Sequence, residues 1–266
     1  MLFVKAKSST YGIFNEKLQV VNNVLIEESI MKYKVILFDV DDTLLDFPET
    51  ERNALHNAFV QFGMPTGYND YLASYKEISN GLWRDLENKM ITLGELAVDR
   101  FKQLFALHNL EVDAQQFSNV YLENLGKEVH LIEGAVQLCE NLQDCKLGII
   151  TNGYTKVQQS RIGNSPLCNF FDHIIISEEV GHQKPAREIF DYAFEKLGVT
   201  DKSSVLMVGD SLTSDMKGGE DYGIDTCWYN PSLKENTTSV KPTYEVESLL
   251  RILEIVEVAG EKVASF

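Results

Sequence analysis

Positive charge is scarce in this sequence. Its 266 residues carry 24 lysines and arginines against 40 aspartates and glutamates, a formal net charge of −16 at pH 7. Such a balance repels a nucleic-acid backbone or an anionic membrane over most of the molecule, so neither is expected as a partner. Long apolar runs are missing too, and no stretch approaches the roughly 18 apolar residues of a membrane helix. Cysteine is sparse: Cys139, Cys145, Cys168 and Cys227 form no C-x-x-C pair and no short metal-ligand spacing. All four read as reduced, buried thiols of a cytosolic protein, with no disulfide framework and no zinc site. A secretory leader is absent from the reading as well. The apolar part of the N-terminal segment, Val20 to Ile26, is short, is broken by Asn22 and Asn23, and lacks a small-residue cleavage site. Residues 1–30 are therefore expected to be an extension of little functional weight, with Met31 a natural start.

What the chain does have is an apolar strand that ends in acids, Val35-Ile36-Leu37-Phe38-Asp39-Val40-Asp41-Asp42-Thr43. Residues two apart on a strand share a face, so Asp39 and Asp41 are expected at one site. Carboxylates that close repel one another unless a cation or a shared proton separates them, and the pair therefore asks for a metal. One acid suits a nucleophile and the other a proton donor, the combination needed to move a phosphoryl group.

The 44% apolar content is ordinary for a globular protein, and the length leaves room for a core plus an insert. Short, uniformly apolar runs recur at 146–150, 173–176, 205–208 and 226–229, too short for helices and too apolar for half-exposed strands. Helical patterns lie between them. Ile189, Ala193, Phe194 and Leu197 mark one face, stopped by Gly198, and Val246, Leu249, Leu250, Leu253 and Val256 mark another. This alternation predicts an α/β fold with a doubly wound parallel sheet. Residues 46–130 break the rhythm with consecutive helical patterns around Leu55, Phe59 and Phe62, then Leu72, Tyr75, Ile78 and Leu82, then Leu96, Phe101, Leu104 and Phe105, then Phe117, Val120, Tyr121 and Leu125. The domain expectation is a catalytic core of residues 31–45 and 131–266, with residues 46–130 inserted as a smaller all-helical cap. The cap would sit over the carboxyl ends of the strands, where open α/β sheets bind ligands.

The remaining motifs fall at the ends of the other strands. Thr151-Asn152-Gly153 follows the second, where a hydroxyl and backbone amides can hold phosphoryl oxygens. Lys184-Pro185 precedes a helix and offers a compact positive charge. Gly209-Asp210-Ser211 follows the fourth strand, with Asp215 one turn later. Mg²⁺ takes oxygen ligands in octahedral geometry, and Asp39, Asp210 and the main-chain carbonyl of Asp41 could supply them, with Asp215 ligating or orienting a water.

These four strand-end motifs, D-x-D-x-T, T-N, K-P and G-D-x-x-x-x-D, occur in an order that resembles the haloacid dehalogenase superfamily over about residues 31–242. The resemblance implies a Rossmann-like core with a helical cap inserted after the first motif. It also implies Asp39 as nucleophile, Asp41 as acid/base, Thr151 and Lys184 as phosphate holders, and Asp210 with Asp215 as magnesium acids. An acid at Asp41 favours a phosphatase over a dehalogenase, because an alkoxide leaving group needs a proton and a halide does not.

A narrower resemblance rests on Thr151-Asn152-Gly153-Tyr154, Ile176 to Gly181, Ile189 to Ala193 and Gly223 to Asn230, which look like the pyrimidine 5′-nucleotidase branch. It implies nucleoside monophosphates as substrates. A phosphoglycolate or sugar-phosphate phosphatase and a phosphosugar mutase stay open as alternatives, as does a metabolite-binding protein without turnover. In the cap, Tyr68, Tyr71, Tyr75 and Trp83 could present a stacking face for a base, although aromatics at helical spacing more often build a core. His56, His108, His130 and His173 have no partners by spacing. His182 and Arg187, where this chain departs from the usual residues around K-P, could shape the entrance.

Overall fold

The computed structural model describes residues 30–258, together with residues 20–21 and 24–25. The expectation for residues 1–30 therefore lies almost wholly outside the described residues. Six strands form one parallel sheet: β1 (Val35–Phe38), β2 (Lys146–Thr151), β3 (His173–Ile176), β4 (Val205–Gly209), β5 (Asp225–Tyr229) and β6 (Tyr244–Val246). Their order is β3-β2-β1-β4-β5-β6, with Val35 paired to Lys146 on one side and Val205 on the other. The chain starts in the middle, builds outward to β3, then crosses to β4 on the opposite side of β1. That reversal opens a crevice at the carboxyl ends of β1 and β4.

Strand alternation divides the core into two layers. Ile36 and Phe38 face one layer with Leu147, Ile149 and Val208, covered by α5 (Ala135–Asn141) and α10 (Ile252–Val256). Val35 and Leu37 face the other, against Ile189, Phe190 and Ala193 of α8 (Arg187–Leu197) and Tyr222 of α9 (Lys217–Tyr222). Gly198 closes α8 in the left-handed region at φ 64°, as its position after Leu197 predicts.

The helical reading of Val246 is corrected by the structure. Tyr244–Val246 forms the sixth strand, and regular helix begins only at Ile252, after a 3₁₀ turn over Leu249–Arg251. The edge of β5 would otherwise carry unpaired backbone groups. The segment satisfies them by register pairs Cys227 to Tyr244 and Tyr229 to Val246, reinforced by a reciprocal clasp of Thr226 and Thr243. Cys168 corrects the cysteine reading in the same way: it is exposed, whereas Cys139, Cys145 and Cys227 are buried.

Between β1 and α5 the chain forms four helices, α1 (Phe47–Gln61), α2 (Gly67–Glu87), α3 (Leu93–Leu107) and α4 (Ala114–Leu125). Their starts are written locally. Asp46 and Asp113 accept from the backbone amides of Glu49 and Gln116, and Thr92 and Glu95 form a reciprocal capping box. The helices pack on an aromatic centre of their own, with ring centroids of Phe101 and Phe117 4.8 Å apart and those of Phe59 and Phe117 5.0 Å apart. The two chain crossings into this bundle run side by side, tied by Asp46 N donating to His130 O at 2.8 Å and Ile132 N to Leu44 O at 3.0 Å.

Candidate active site

Asp39 is the first residue past β1, and its backbone amide donates to Val208 O at 2.9 Å on the neighbouring strand. Lys184, buried and reaching in from the loop between α7 (Ser177–Val180) and α8, donates from Nζ to Asp39 Oδ1 at 2.5 Å and lies 2.7 Å from Asp215 Oδ1. Asp215 stands on the single π-helical turn Leu212–Met216 after β4, fully buried, and accepts from Ser211 N at 3.1 Å. It can come so close to the strand only because residue 209 is glycine: a Cβ there would lie 2.2 Å from Asp215 Oδ2. Asp39, Asp210 and Asp215 each bring an oxygen within 4.8 Å of the others, a cluster suited to a cation.

The electrostatics favour that reading. Burial, then the charges of Asp215 and Asp39, push the Asp210 carboxyl up to about 8. Asp39 also rises, because burial together with Asp215 and Asp41 outweighs the attraction of Lys184. Burial works against the charge on Lys184, yet Asp215 and Asp39 hold its ammonium well above the usual lysine range. One cation thus serves three crowded carboxylates. A divalent ion would complete the balance.

Asp41 is held differently. The strand ends at Phe38, and residues 39–45 turn back on themselves, with Asp42 in the left-handed region at φ 62° and its amide donating to Leu45 O at 2.8 Å. Strand alternation is thus not what unites Asp39 and Asp41; the turn brings both to the wall of one cavity. Both Asp41 oxygens are engaged by α6 (Thr155–Gly163): Arg161 Nη1 pairs with Oδ1, and Gln158 Nε2 donates to Oδ2 at 2.8 Å. Gln158 Nε2 also donates to Thr151 Oγ1 at 2.8 Å, so one amide ties the end of β2 to the acid. Gly153 makes room for it, since a Cβ there would sit 2.6 Å from Gln158 Nε2. Asn152 turns to the main chain of Lys184, donating from Nδ2 to Lys184 O at 2.9 Å and accepting from Lys184 N at 2.8 Å. Its amide thus braces the lysine loop.

The cavity has a volume of about 200 Å³ and is lined by Asp39, Asp41, Thr151, Asn152, Gly153, Gln158 and Arg161 from the core side, with Phe47, Trp83, Arg100 and Leu125 from the cap. Of the four cap aromatics singled out by sequence, only Trp83 is among the lining residues. Tyr75 is fully buried, Tyr71 packs on Phe59 and His108, and Tyr68 on His56. Arg187 is engaged elsewhere, in an ion pair with Asp191 at 3.4 Å. Neither it nor His182 lines the cavity. Gln158, Arg161 and Arg100 are the residues that sequence reasoning missed. The available signal was the i, i+3 spacing of Gln158 and Arg161 on the helix that opens just after the T-N-G strand end.

Known proteins resemble this chain over most of its length. Residues 36–229 match the family model of the haloacid dehalogenase-like hydrolases. The HAD-hydrolase YfnB of Bacillus subtilis is 40% identical over 228 residues, which cover 85% of this chain and 97% of YfnB. A YfnB crystal structure described as bound to magnesium superposes with a TM-score of 0.80, covering 85% of this chain and all of that one. Pyrimidine 5′-nucleotidase PynA of Streptococcus pneumoniae is 38% identical over 85% of this chain and 96% of its own length, and pyrimidine 5′-nucleotidase YjjG of Escherichia coli 36% over 82% and 96%. With the strand-end acids, the buried lysine and the inserted helices all in place, this chain belongs to the haloacid dehalogenase-like hydrolases.

Proposed function

We propose that this hydrolase is a phosphatase for pyrimidine nucleoside 5′-monophosphates, working through an aspartyl phosphate on Asp39 with Mg²⁺ as cofactor. The observation that carries the reading is the position of Asp39, which is bonded to Lys184, belongs to the Asp39–Asp210–Asp215 cluster and lines the cavity beneath the helical cap. The donor set fits magnesium: it is all oxygen, without thiol or imidazole, and burial and repulsion drive Asp39 and Asp210 towards protonation. Asp39, Asp210 and the main-chain carbonyl of Asp41 would hold the ion with Asp215 beside it, where it would cancel that repulsion and draw charge from the phosphoryl oxygens.

The protein's own groups move the atoms. An Asp39 oxygen attacks phosphorus as the bond to the substrate's ester oxygen breaks, and that oxygen takes a proton from Asp41. Asp41, now a carboxylate, accepts a proton from the water that attacks the aspartyl phosphate, and Asp39 leaves with inorganic phosphate as product. Lys184 offsets the charge gathering on the phosphoryl oxygens, Thr151 and the Gly153 amide offer donors to them, and Asn152 fixes the lysine. Gln158 and Arg161 hold Asp41 in line. The nucleotide preference draws support from PynA and YjjG and from a cavity walled by Phe47, Trp83 and Tyr154. No helix among the described residues is long and apolar enough to cross a membrane, and the four free cysteines fit a reducing compartment, the cytoplasm.

The test is phosphate release from a panel of nucleoside monophosphates, sugar phosphates and phosphoglycolate, with Mg²⁺ and with EDTA. Release that needs Mg²⁺ and favours UMP, dUMP or dTMP is expected. Release from sugar phosphates or phosphoglycolate alone would keep the chemistry and overturn the nucleotide preference.

A further inference from the structure

Among the described residues three cationic side chains are buried almost completely, Lys184, Arg161 and Arg100. Burying a charge is costly unless something answers it. Lys184 is answered by Asp39 and Asp215, and Arg161 by Asp41. Arg100, on α3 in the cap, has no carboxylate within ion-pair distance among the described residues. Its Nη2 donates to Tyr154 Oη at 2.8 Å, its Nη1 reaches Tyr75 Oη at 3.4 Å, and its Nε–H is buried without a partner. Glu51 lies one hydroxyl away, accepting from Tyr75 Oη at 2.9 Å. Tyrosine hydroxyls are neutral acceptors, so the guanidinium keeps both charge and a spare donor.

Arg100 lines the same cavity as Asp39 and Asp41, beside the rings of Phe47, Trp83 and Tyr154 and the aliphatic Leu125. A flat, uncharged ring bearing carbonyl oxygens suits such a wall: its faces meet aromatic and aliphatic groups, and a carbonyl can accept a guanidinium N–H that Tyr75 and Tyr154 leave unbonded. A second anionic group suits it less. Glu51, one hydroxyl away beyond Tyr75, would repel it, and the other cation of the lining, Arg161, is already paired with Asp41, although its Nε–H is likewise buried without a partner.

We propose that Arg100 is the specificity-determining residue of the cap, donating from its guanidinium to a ring carbonyl of the pyrimidine base, an inference that rests on the nucleotide reading above. Ribose 5-phosphate keeps the phosphoester and lacks the base, which makes the ratio of kcat/KM for UMP to that for ribose 5-phosphate the informative quantity. A hydrogen bond from a charged donor makes a difference of about ten- to a hundred-fold. The ratio is therefore expected to fall by that factor in Arg100→Met and by less in Arg100→Lys, with inhibition by free uridine weakened in parallel. A purely structural arginine would lower both rates together, so an unchanged ratio in a variant that melts cooperatively would overturn the proposal.

Should neither variant fold, the unaltered protein answers with UMP analogues lacking the 2-oxo or the 4-oxo group in turn. A loss of about ten-fold or more with one of them supports the contact, and no loss with either overturns it. Failure of the nucleotide reading looks different, because the unaltered protein would then show no preference for UMP over ribose 5-phosphate at all.

Discussion

Asp39 and Asp41 are two residues apart and live under different constraints. Asp39 faces a lysine and two further acids, whereas Asp41 is gripped by one arginine and one amide from the same helix. Gln158 is the shared part, bonded to Asp41 and to Thr151 and itself buried. Replacing it with leucine keeps the volume and removes both bonds. A small misplacement of a proton donor costs up to about 10²-fold in rate, and only where the leaving group needs the proton. Gln158→Leu is therefore expected to lose ten- to a hundred-fold in kcat on UMP and much less on p-nitrophenyl phosphate, whose leaving group departs unprotonated. Equal losses on the two substrates would mean that Gln158 supports the fold and not the acid.

At the scale of elements, the core strands were legible because each is a short apolar run with an acid, a hydroxyl or a glycine at its end. The structure extends those runs by a residue at most, to Thr151, Gly209 and Asp225. The cap helices were legible through their period, and Leu55, Phe59, Tyr75, Phe101, Phe117 and Tyr121 are all buried. The sixth strand escaped because Val246 also fits the 3.6-residue spacing of the helix that follows, and only the unpaired edge of β5 decides the matter. Gln158 and Arg161 escaped for a different reason. Polar residues on a short helix read as solvated, and nothing in the local pattern says that 120 residues upstream an aspartate turns to meet Arg161. The cap aromatics show the limit of composition: four were candidates, and three-dimensional packing gave one, Trp83, to the cavity.

At the scale of the whole molecule, a protein of net charge −16 gathers the three buried cations of its described residues around the Asp39 and Asp41 cavity, where Asp39, Asp41, Asp210 and Asp215 outnumber them. The acids at that place make stability depend on pH. Asp210 ionises at about 8 in the folded protein, well above its ordinary value of 3.8, and Asp39 moves in the same direction. Their contribution to stability is therefore present below the unfolded value and is lost as pH rises from about 4 through about 8. A bound cation requires the ionised forms and cancels their repulsion, so the rise in Tm on adding Mg²⁺ to EDTA-treated protein is expected to be larger at about pH 8.5 than at about pH 5. An equal or smaller rise at the higher pH would count against the carboxylate cluster as the metal site. The central claim, that Asp39 is the attacking group of a magnesium-dependent phosphatase, is tested most directly by phosphate release from UMP by the unaltered protein and by Asp39→Asn side by side in Mg²⁺. Loss of at least about 10³-fold in a variant that melts no lower than its parent is predicted; an Asp39→Asn protein that keeps more than about a tenth of the parent rate would contradict it.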